Sequence, residues 1–379
     1  RCAVFGLCGG CALQELPLEL QRRAKHGMVL AELGDLEGVE VHDIVGPPEA
    51  YGYRNKVELS FGSARYLSEA DHEEGQPIDG HWLGFHAPGR FDRVVDAARC
   101  ELVPEGLNRI LATVREHKSA FAPWNVRTHT GFWKHLVLRE STLGQRLAVF
   151  YTAEPPAGAQ EELRELASRI DADGVLHVVN AGVADVAQGE LREVLAGGQT
   201  IEERLGEVTY QLSATAFFQT NTRGAEMLYE VVARVTGGGA RLLDLYCGTG
   251  AIGLYLADRF QEVLGIELNE EAVEDARANA ARNGRTVQYV AGPVEANLPV
   301  LRPDDVAVVD PPRVGLHPKV AAFLAAAQLP RLVYVACKPS SLARDRAILE
   351  EGGWRLRELH TVDLFPQTTH VEAVGLFTR

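Results

Sequence analysis

Apolar residues in the second half of the chain form short unbroken runs, separated by helical segments. The runs RLLDLYC, EVLGIEL, TVQYVAG, VAVVDPP and RLVYVAC alternate with stretches such as NEEAVEDARANAARNG. Strands buried on both faces of a parallel sheet have this continuous apolar character. The pattern predicts a doubly wound, Rossmann-like α/β domain over residues 213–379, with ligands beyond the carboxyl ends of its strands. The runs WRLRELHTVDLF and HVEAVGLFTR are expected to be antiparallel partners at the end of the sheet.

The first half of the chain has a different pattern. A helical segment, LPLELQRRAKHGMVLAELG, has Pro17 near its start, and Gly34 is its predicted stop. Runs rich in β-forming residues follow, among them YRNKVELSFG, HWLGFH, KHLVLRES, RLAVFYTA and VTYQLSA, with the helix-like AQEELRELASRI between them. We therefore predict an α+β domain over residues 1–212.

Length and composition agree with two domains and a cytoplasmic location. A chain of 379 residues is long enough for two cores. No apolar run is long enough to span a bilayer, and no signal-peptide pattern opens the sequence. Six cysteines are too few for a secreted disulfide framework. We expect reduced thiols in a cytoplasm, with neither a membrane nor an obligate protein partner.

The net charge of −14 weighs against a nucleic-acid partner, because phosphate contacts need positive potential. The charge is unevenly distributed, however. Acidic residues crowd SEADHEEG and NEEAVEDA, whereas basic residues gather in LQRRAKH, YRNK, RTHTGFWKH and CKPSSLARDR. These basic segments keep RNA among the expected ligands.

Glycines and carboxylates mark a cofactor site at the first strand-to-helix turn of the second domain. The motif LLDLYCGTGAIG places Asp244 before Gly248, Gly250 and Gly253. Glu267 ends the next strand about twenty residues later, where a carboxylate can bind ribose hydroxyls. Dinucleotide folds share these features. The placement of Asp244, which can face a cationic methionine group, and the VVDPPR strand end favour S-adenosylmethionine.

Three residues of the same domain suit covalent chemistry on a pyrimidine. Carbon-5 of uracil is a poor nucleophile. A thiolate that adds to carbon-6 makes an enolate, whose carbon-5 can accept a methyl group. A base must then remove the proton from carbon-5. Cys337 is the candidate nucleophile, and Asp310 is the group expected to bind the imide edge. Glu372 is the candidate base, with His370 a weaker one. A lone cysteine is more often a buried structural thiol, but a strand-end position and the following Lys338, expected to favour the thiolate, argue for a nucleophile.

Four cysteines of the first domain form a candidate metal site. Cys2, Cys8 and Cys11 lie in CAVFGLCGGC, and Cys100 lies in DAARCEL. From spacing alone, zinc and a [4Fe–4S] cluster compete for four thiolates. The Gly-Gly before Cys11 and the unequal gap after Cys2 fit poorly with paired zinc knuckles.

Together the motifs carry a resemblance to a known family. AFFQTN, DLYCGTG, DPPR, YVACKPSSLARD and DLFPQTTHVE, with YGYRNKVELSFG, LGFHAPGRFDRVVDAARCEL and GFWKHLVLRE upstream, are similar to the RNA uracil-C5-methyltransferases of bacterial 23S rRNA and of tRNA. The similarity covers nearly all of the chain. The roles it implies are nucleophile for Cys337, base for Glu372, a joint substrate and cofactor site for Asp310 and Gln219, base stacking for Phe217, and S-adenosylmethionine contacts for Tyr246, Gly248 and Glu267.

The resemblance also bears on the metal and on the RNA. Because it includes CGGCALQ, it implies a [4Fe–4S] cluster with a structural or RNA-docking role, which makes residues 1–212 an iron–sulfur and RNA-binding domain. Iron–sulfur members commonly modify rRNA, so 23S rRNA is the expected substrate and a tRNA T-loop uridine the alternative. The family usually has Ser-Cys-Asn-Pro where this chain has Ala-Cys-Lys-Pro at 336–339, which keeps the thiol but alters the loop.

A target base must be unstacked before a thiol can reach its ring. Phe217, Phe218 and the YRNK and FWKH segments are candidates for stacking and phosphate contact.

Other functions make different demands on the sequence. RNA cytosine-C5-methyltransferases normally use a Pro-Cys pair where this chain has Pro311-Pro312. Amino-group methyltransferases usually follow Asp-Pro-Pro with an aromatic residue rather than Arg313, and they need no thiol. A nicotinamide-dependent oxidoreductase gives the cysteine and the terminal carboxylate no role. If the chain were a non-catalytic iron–sulfur RNA-binding protein or a redox sensor, it would transfer no methyl group and substitution of Cys337 would have no effect.

Overall fold

The computed structural model describes residues 2–214 and 216–379. Its helices are α1 (Leu18–Leu33), α2 (Glu69–Glu73), α3 (Glu105–Glu116), α4 (Ala159–Ala167), α5 (Thr222–Thr236), α6 (Ala251–Leu256), α7 (Glu270–Arg282), α8 (Pro318–Ala326) and α9 (Pro339–Glu351). Its strands are β1 (Glu40–Val41), β2 (Lys56–Ala64), β3 (Asp79–Ala87), β4 (Arg90–Asp96), β5 (Trp133–Glu140), β6 (Arg146–Thr152), β7 (Gly174–Val179), β8 (Glu190–Gly197), β9 (Thr200–Leu205), β10 (Val208–Ser213), β11 (Gly239–Leu245), β12 (Phe260–Glu267), β13 (Gln288–Ala291), β14 (Asp305–Val309), β15 (Arg331–Ala336), β16 (Arg355–Val362) and β17 (Glu372–Thr378). None of the helices in the described residues is both long and apolar enough to cross a membrane.

Contacts between residues divide the chain into two units built from separate segments. Of the described residues, the first unit comprises 2–14, 49–203 and 212–214, and the second comprises 15–48, 204–211 and 216–379. Segment 15–48, which the sequence pattern places with the first domain, thus contributes α1 and β1 to the second unit. The expected domain boundary after residue 212 stays a prediction.

The second unit contains the doubly wound sheet that the sequence predicts. Its strand order is β1-β16-β17-β15-β14-β11-β12-β13. Strands β15, β14, β11, β12 and β13 pair in parallel, whereas β17 is antiparallel to both β15 and β16. Residues of β11, β14 and β15 are buried almost throughout, which is the environment that their continuous apolar runs require. The predictions of a Rossmann-like α/β fold and of antiparallel partners at the end of the chain are confirmed.

Helix α1 begins after Pro17 and ends at Gly34, as its sequence predicts. Gly34 has a φ of 68°, a conformation that glycine adopts without strain at a helix end. The buried residues of α1 recur every four positions, at 21, 25, 29 and 33, so they form one stripe along the helix. Unusually for a buried stripe, its first two members are Gln21 and Lys25.

The first unit is built around a second sheet with the order β4-β3-β2-β5-β6-β7-β8. All its pairings are antiparallel except β6 with β7, which α4 connects. Helices α3 and α4 are strongly amphipathic and bury their apolar faces in one core with this sheet, through residues such as Leu107, Leu111 and Leu163.

Candidate functional site

Four of the predicted site residues lie at one edge of the sheet of the second unit. Tyr246 follows β11, Glu267 ends β12, Asp310 follows β14 and Cys337 follows β15. These strands are parallel neighbours in the order β15-β14-β11-β12, so their carboxyl ends meet at the same edge. In doubly wound sheets, ligands bind in the crevice outside that edge.

The glycine-rich turn after β11 is tied to the end of β12 by Glu267. The Gly248 N–H donates to Glu267 Oε2 at 2.9 Å, and the Asn269 N–H donates to Oε1 at 2.9 Å. Each carboxylate oxygen keeps a lone pair with which to accept a ribose hydroxyl. Gly250 has a φ of 72°, and a Cβ on this residue would lie 2.3 Å from Tyr289 Oη. Glycine is therefore required at this position on both conformational and steric grounds.

Asp244 is fully buried beneath the same turn. Its Oδ2 accepts the Gly253 N–H at 2.8 Å, whereas its Oδ1 is buried without a hydrogen-bond partner among the described residues. Burial raises the pKa of Asp244 to about 7, and the negative charge of Glu267 adds to the increase. Tyr246, at the start of the turn, has a φ of 65°, which is rare for a residue with a side chain and typical of constrained ligand sites. An orphaned acceptor at Asp244, a strained backbone at Tyr246 and the carboxylate of Glu267 suit a ligand with both cationic and hydroxyl groups.

Cys337 and Glu372 are brought together by strand pairing. Strands β15 and β17 are antiparallel, and Ala336 pairs with Ala373. The next residue on each strand is Cys337 on one side and Glu372 on the other, so both lie at the carboxyl edge of the sheet. Glu372 is 4% exposed, whereas Cys337 is half-buried.

The acidic groups at this edge disfavour one another's ionisation. Burial raises the pKa of Asp310 to about 7, with a smaller contribution from the charge of Asp244. Burial also raises the pKa of Glu372 well above its ordinary value, and the charge of Asp310 adds to this effect. The pKa of the Cys337 thiol is raised by burial, then by the charges of Glu372 and Asp310. Groups of this kind cluster at functional sites.

Arg313 is the cation that opposes these shifts. Its charge lowers the pKa of both Cys337 and Glu372. The sequence assigned this role to Lys338, but the Lys338 side chain is exposed and is not among the groups that shift the thiol. The DPPR loop thus brings the larger positive influence to the pKa of the thiol, and the contribution of Lys338 stays a prediction. Arg313 Nη2 also lies 3.0 Å from His370 Nδ1 and donates to that nitrogen when the ring proton is on Nε2.

Helix α1 supports the loop that leads to Glu372, a role that the sequence did not reveal. Lys25 Nζ lies 2.6 Å from Asp363 Oδ1 and donates to the Phe365 carbonyl at 2.9 Å. Gln21 Nε2 donates to Gln367 Oε1 at 3.0 Å, and Gln21 Oε1 accepts the Gln367 N–H at 2.8 Å. The available signal was the four-residue spacing of these polar residues with apolar ones on one helix face. The segment LQRRAKH is thus only partly a basic surface, because its lysine is buried in an ion pair.

The two phenylalanines of the AFFQTN motif have different environments. Phe217 is 68% exposed, and its carbonyl accepts from Thr249 Oγ1 at 3.3 Å, which places it beside the cofactor turn. Phe218 is 4% exposed, and its ring centroid lies 5.3 Å from that of Tyr210, so it belongs to the core. Gln219 is half-buried in the same segment.

The FWKH segment does not offer the phosphate contact expected of it. Lys134 is fully buried, and its Nζ donates to the carbonyls of Asn180 at 2.9 Å and Gly182 at 2.6 Å. The ammonium also lies 4.1 Å from the centre of the Trp124 ring. This lysine is a structural residue of the first unit.

The four amino-terminal cysteines are neighbours in the first unit. Burial raises the pKa of Cys8 and Cys100, and it raises that of Cys11 to about 11, in each case with added repulsion from the other thiolates of the group. The Cys2 N–H donates to Gln14 Oε1 at 2.9 Å.

The cysteine sulfurs lie too far apart for three of them to share a sphere of the size that one metal ion needs. Within residues 2–214 and 216–379, one group of three metal-ligating side chains has ligand atoms that all lie within 4.8 Å of one another. Its members are His42, Glu358 and His360. That group contains no cysteine. Tetrahedral zinc with Zn–S bonds of 2.3 Å would draw its sulfurs to roughly 3.8 Å from one another.

A parallel doubly wound sheet with a glycine-rich turn joined to a strand-end carboxylate is the architecture of an S-adenosylmethionine-dependent methyltransferase. The family model described as tRNA (Uracil-5-)-methyltransferase matches residues 162–291 and 303–379. The chain belongs to this family and is an RNA uracil-5-methyltransferase, as the sequence predicts.

Full-length similarities agree with the family. An uncharacterized RNA methyltransferase of Chlorobaculum tepidum is 39% identical, over 100% of this chain and 82% of its own length. One from Clostridium acetobutylicum is 36% identical, over 100% of this chain and 84% of its own length. The crystal structure of Pyrococcus abyssi tRNA (uracil-54, C5)-methyltransferase in complex with S-adenosyl-L-homocysteine superposes with a TM-score of 0.79. It is 29% identical, and the match covers 98% of this chain and 86% of that one.

Proposed function

We propose that this enzyme methylates carbon-5 of a uridine in 23S rRNA through a transient bond between Cys337 and carbon-6. The observation that carries the proposal is the strand register that sets Cys337 beside Glu372, at the edge where Asp310 and the cofactor turn also lie. A nucleophile, a base and a group for the pyrimidine edge are the parts that this chemistry needs.

Each proposed step has a residue of this chain to perform it. The Cys337 thiolate adds to carbon-6, and the electron pair of the 5,6 double bond moves into an enolate. Carbon-5 then takes a methyl group from the sulfonium donor, which leaves as the neutral thioether. Glu372 accepts the proton from carbon-5, the double bond re-forms, and the thiolate is expelled. Atoms and charges balance without a further reactant.

The raised pKa of Asp310 would allow this side chain to stabilise the enolate by donating a hydrogen bond. At a pKa of about 7, a substantial fraction of the carboxyl is protonated at neutral pH. A protonated carboxyl offers one donor and one acceptor, which complement the carbonyl oxygen and the N3–H of the uracil edge. Its donated hydrogen bond would strengthen as negative charge develops on that oxygen. Gln219 and the exposed Phe217 ring, held beside the cofactor turn, are proposed to contact and stack on the extruded base.

The cofactor contacts that we propose follow from the turn. Glu267 would accept the ribose hydroxyls, the Gly248 and Gly250 backbone would permit close approach, and Tyr246 would pack against the ligand. When bound there, S-adenosylmethionine supplies the activated methyl group.

We propose that Cys2, Cys8, Cys11 and Cys100 hold a [4Fe–4S] cluster. Four half-buried thiols form the donor set that such clusters use. Their sulfurs are not gathered to the spacing of a single zinc ion, whereas a cubane inserts iron and sulfide between its thiolates and needs a wider opening. No step of the methylation needs an electron, so the cluster would stabilise the first unit or dock RNA. An anaerobic preparation that lacks iron, sulfide and brown colour would exclude it.

A tRNA T-loop uridine is the second candidate substrate. The similarity to the Pyrococcus abyssi tRNA enzyme favours it, whereas the proposed cluster favours rRNA. The two are separated by incubating the enzyme with tritiated S-adenosylmethionine and unmodified transcripts of 23S rRNA and tRNA, followed by mapping of the labelled nucleoside. Label in tRNA alone would reject the rRNA proposal. Label at any position other than carbon-5 of uridine would reject the reaction itself.

The covalent step has its own test. RNA containing 5-fluorouridine has no removable proton at carbon-5, so it should trap an adduct with the enzyme that survives denaturation. Cys337→Ala should abolish both the adduct and methyl transfer, whereas Lys338→Ala should retain both. An adduct that persists in Cys337→Ala would exclude the mechanism.

A further inference from the structure

Two similar tripeptides lie side by side at the edge of the sheet in the second unit. Residues 40–42 read Glu-Val-His, and residues 358–360 read Glu-Leu-His. Strands β1 and β16 are parallel, with Glu40 opposite Glu358 and the pairing continued by the next residues. Because alternate residues of a strand project to the same face, the two glutamates and two histidines share one face.

The ligand atoms of His42, Glu358 and His360 all lie within 4.8 Å of one another, and Glu40 lies near His42 at the rim of this group. Glu358 Oε2 lies 3.0 Å from His360 Nε2 and 3.5 Å from His42 Nε2. Glu40 Oε1 lies 3.4 Å from His42 Nε2. Tetrahedral zinc, with bonds of about 2.0–2.1 Å to nitrogen and oxygen, holds its ligand atoms roughly 3.3 Å apart. The three observed separations bracket that value.

His42 Nε2 approaches the Glu40 and Glu358 carboxylates but forms no hydrogen bond with either. It is inaccessible to solvent and makes no hydrogen bond with acceptable geometry to any described residue. The His42 and His360 rings stack with their centroids 3.9 Å apart and their planes at 17°. Protonation of both rings would set two positive charges at this distance, whereas neutral imidazoles are metal ligands. The His42 side chain is 32% exposed, so its ring has room to turn toward the carboxylates.

We propose that His42, Glu358 and His360, with Glu40 as the fourth ligand, bind one Zn²⁺ or similar late first-row divalent ion. Imidazole and carboxylate donors suit these ions, and four protein ligands make a closed, structural site. The ion would fasten β1 to β16. Because β1 is only two residues long, it would also help to fix α1, whose Gln21 and Lys25 hold the loop before Glu372.

Arg234 competes with the metal for His360. Its Nη2 lies 3.1 Å from His360 Nδ1 and donates to that nitrogen when the proton is on Nε2. A metal on Nε2 reverses the tautomer, because Nδ1 must then carry the proton and can no longer accept. Glu230, one helical turn earlier on α5, borders the same cavity of about 400 Å³ and offers Arg234 another partner. Removal of the arginine should therefore strengthen metal binding.

The test is a titration of the purified, metal-stripped full chain with Co²⁺, followed by its visible d–d absorption and by calorimetry. The cysteine site can also take up Co²⁺, so the wild type should bind one ion beyond those that give the near-ultraviolet charge-transfer bands of thiolate ligands. His42→Ala and Glu358→Gln should each weaken binding by more than roughly 100-fold, since loss of a ligand costs at least as much as loss of its hydrogen-bond partner.

Two further variants sharpen the test. Arg234→Gln should bind Co²⁺ more tightly than the wild type, a gain that general damage to the fold would not produce. His81→Gln, at an exposed histidine of the first unit, is the matched control and should bind with unchanged affinity. Equal affinities for His42→Ala and the wild type, or thiolate bands that account for all bound Co²⁺, would overturn the proposal.

Discussion

Cys337 and Glu372 occupy adjacent ends of two antiparallel strands, one residue beyond the Ala336–Ala373 pair. In a sheet built only of parallel strands, the carboxyl edge receives just the residues that follow each strand. The antiparallel β17 changes this, because it delivers its first residue to the same edge. The fold can therefore set a strand-end thiol against a strand-start carboxylate, whose charge raises the pKa of the thiol.

This coupling predicts opposite effects of two substitutions on the pKa of Cys337. Glu372 raises that pKa and Arg313 lowers it. Glu372→Gln should move the pH midpoint of Cys337 alkylation downward, and Arg313→Ala should move it upward. In the wild type, the raised pKa means that the thiolate fraction at neutral pH is below that of an ordinary cysteine and grows as the pH rises. Iodoacetamide rates measured across pH, with Cys337 identified by peptide mapping, give the midpoints.

Lys338→Ala is the control for that series, because the exposed Lys338 side chain is not among the main groups that shift the pKa of the Cys337 thiol. Its alkylation profile should match the wild type. A midpoint shifted upward in Lys338→Ala but unchanged in Arg313→Ala would show that our assignment of the cation is wrong.

Glu372→Gln should trap the reaction after methyl transfer. If Glu372 removes the carbon-5 proton, its amide cannot, and the methylated base should stay bonded to Cys337. We expect turnover to fall about 10²–10⁴-fold, the usual contribution of a general base. An RNA–protein adduct should accumulate with ordinary uridine substrate and be visible on a denaturing gel. Loss of turnover without such an adduct would assign Glu372 to an earlier step.

Gly250→Ala should lower the free energy of unfolding by more than the cost of backbone strain at this position. A left-handed conformation costs a residue with a Cβ roughly 1–2 kcal/mol. At Gly250 the new Cβ would also lie 2.3 Å from Tyr289 Oη, so the turn or the ring must move. We expect a larger loss of unfolding free energy, together with weaker binding of S-adenosylmethionine in calorimetry.

Gly284→Ala provides the comparison for that variant. Gly284 has a φ of 63°, but its added Cβ would meet no atom within 4 Å. It should lose only the backbone cost in urea denaturation and should bind the cofactor normally. Equal stabilities and equal cofactor affinities of the two variants would show that the Tyr289 contact has no consequence.

The sequence revealed the parts of this site that follow from local pattern. Apolar runs that end in Tyr246, Asp310 and Cys337 were sufficient to predict strand ends in a parallel sheet, because such strands are apolar throughout. Pro17 and Gly34 likewise defined α1, because the preferences of these residues at helix ends are local.

Features that depend on distant partners could not be predicted in the same way. From the sequence, Lys25 was expected to belong to a basic surface. Its partner Asp363 is 338 positions away, so the buried contact between them appears only in the fold. Lys338 looked like the cation for the thiol because it is adjacent in sequence, whereas Arg313 reaches the same sulfur through the fold. The two residues of β1 carry too little pattern to reveal that they pair with β16.

The buried ion pair between Lys25 and Asp363 gives a final prediction, which links stability to catalysis. Both side chains are fully inaccessible, and their charged atoms lie 2.6 Å apart. Lys25→Met would leave the carboxylate buried with only Arg22, whose Nε lies 3.5 Å from Asp363 Oδ2. Removal of one partner of a buried pair costs about 3–5 kcal/mol, and we expect the lower end because Arg22 compensates in part. Urea denaturation measures this loss.

The double variant Lys25→Met/Asp363→Asn separates the charge effect from simple loss of packing. It removes both charges, so it should be more stable than the sum of the two single losses predicts. Because the pair holds the loop that leads to Glu372, Lys25→Met should also lower kcat while the affinity for S-adenosylmethionine stays constant. Additive stability losses would mean that the two charges are not coupled. A kcat equal to that of the wild type would mean that α1 does not support the proposed role of Glu372.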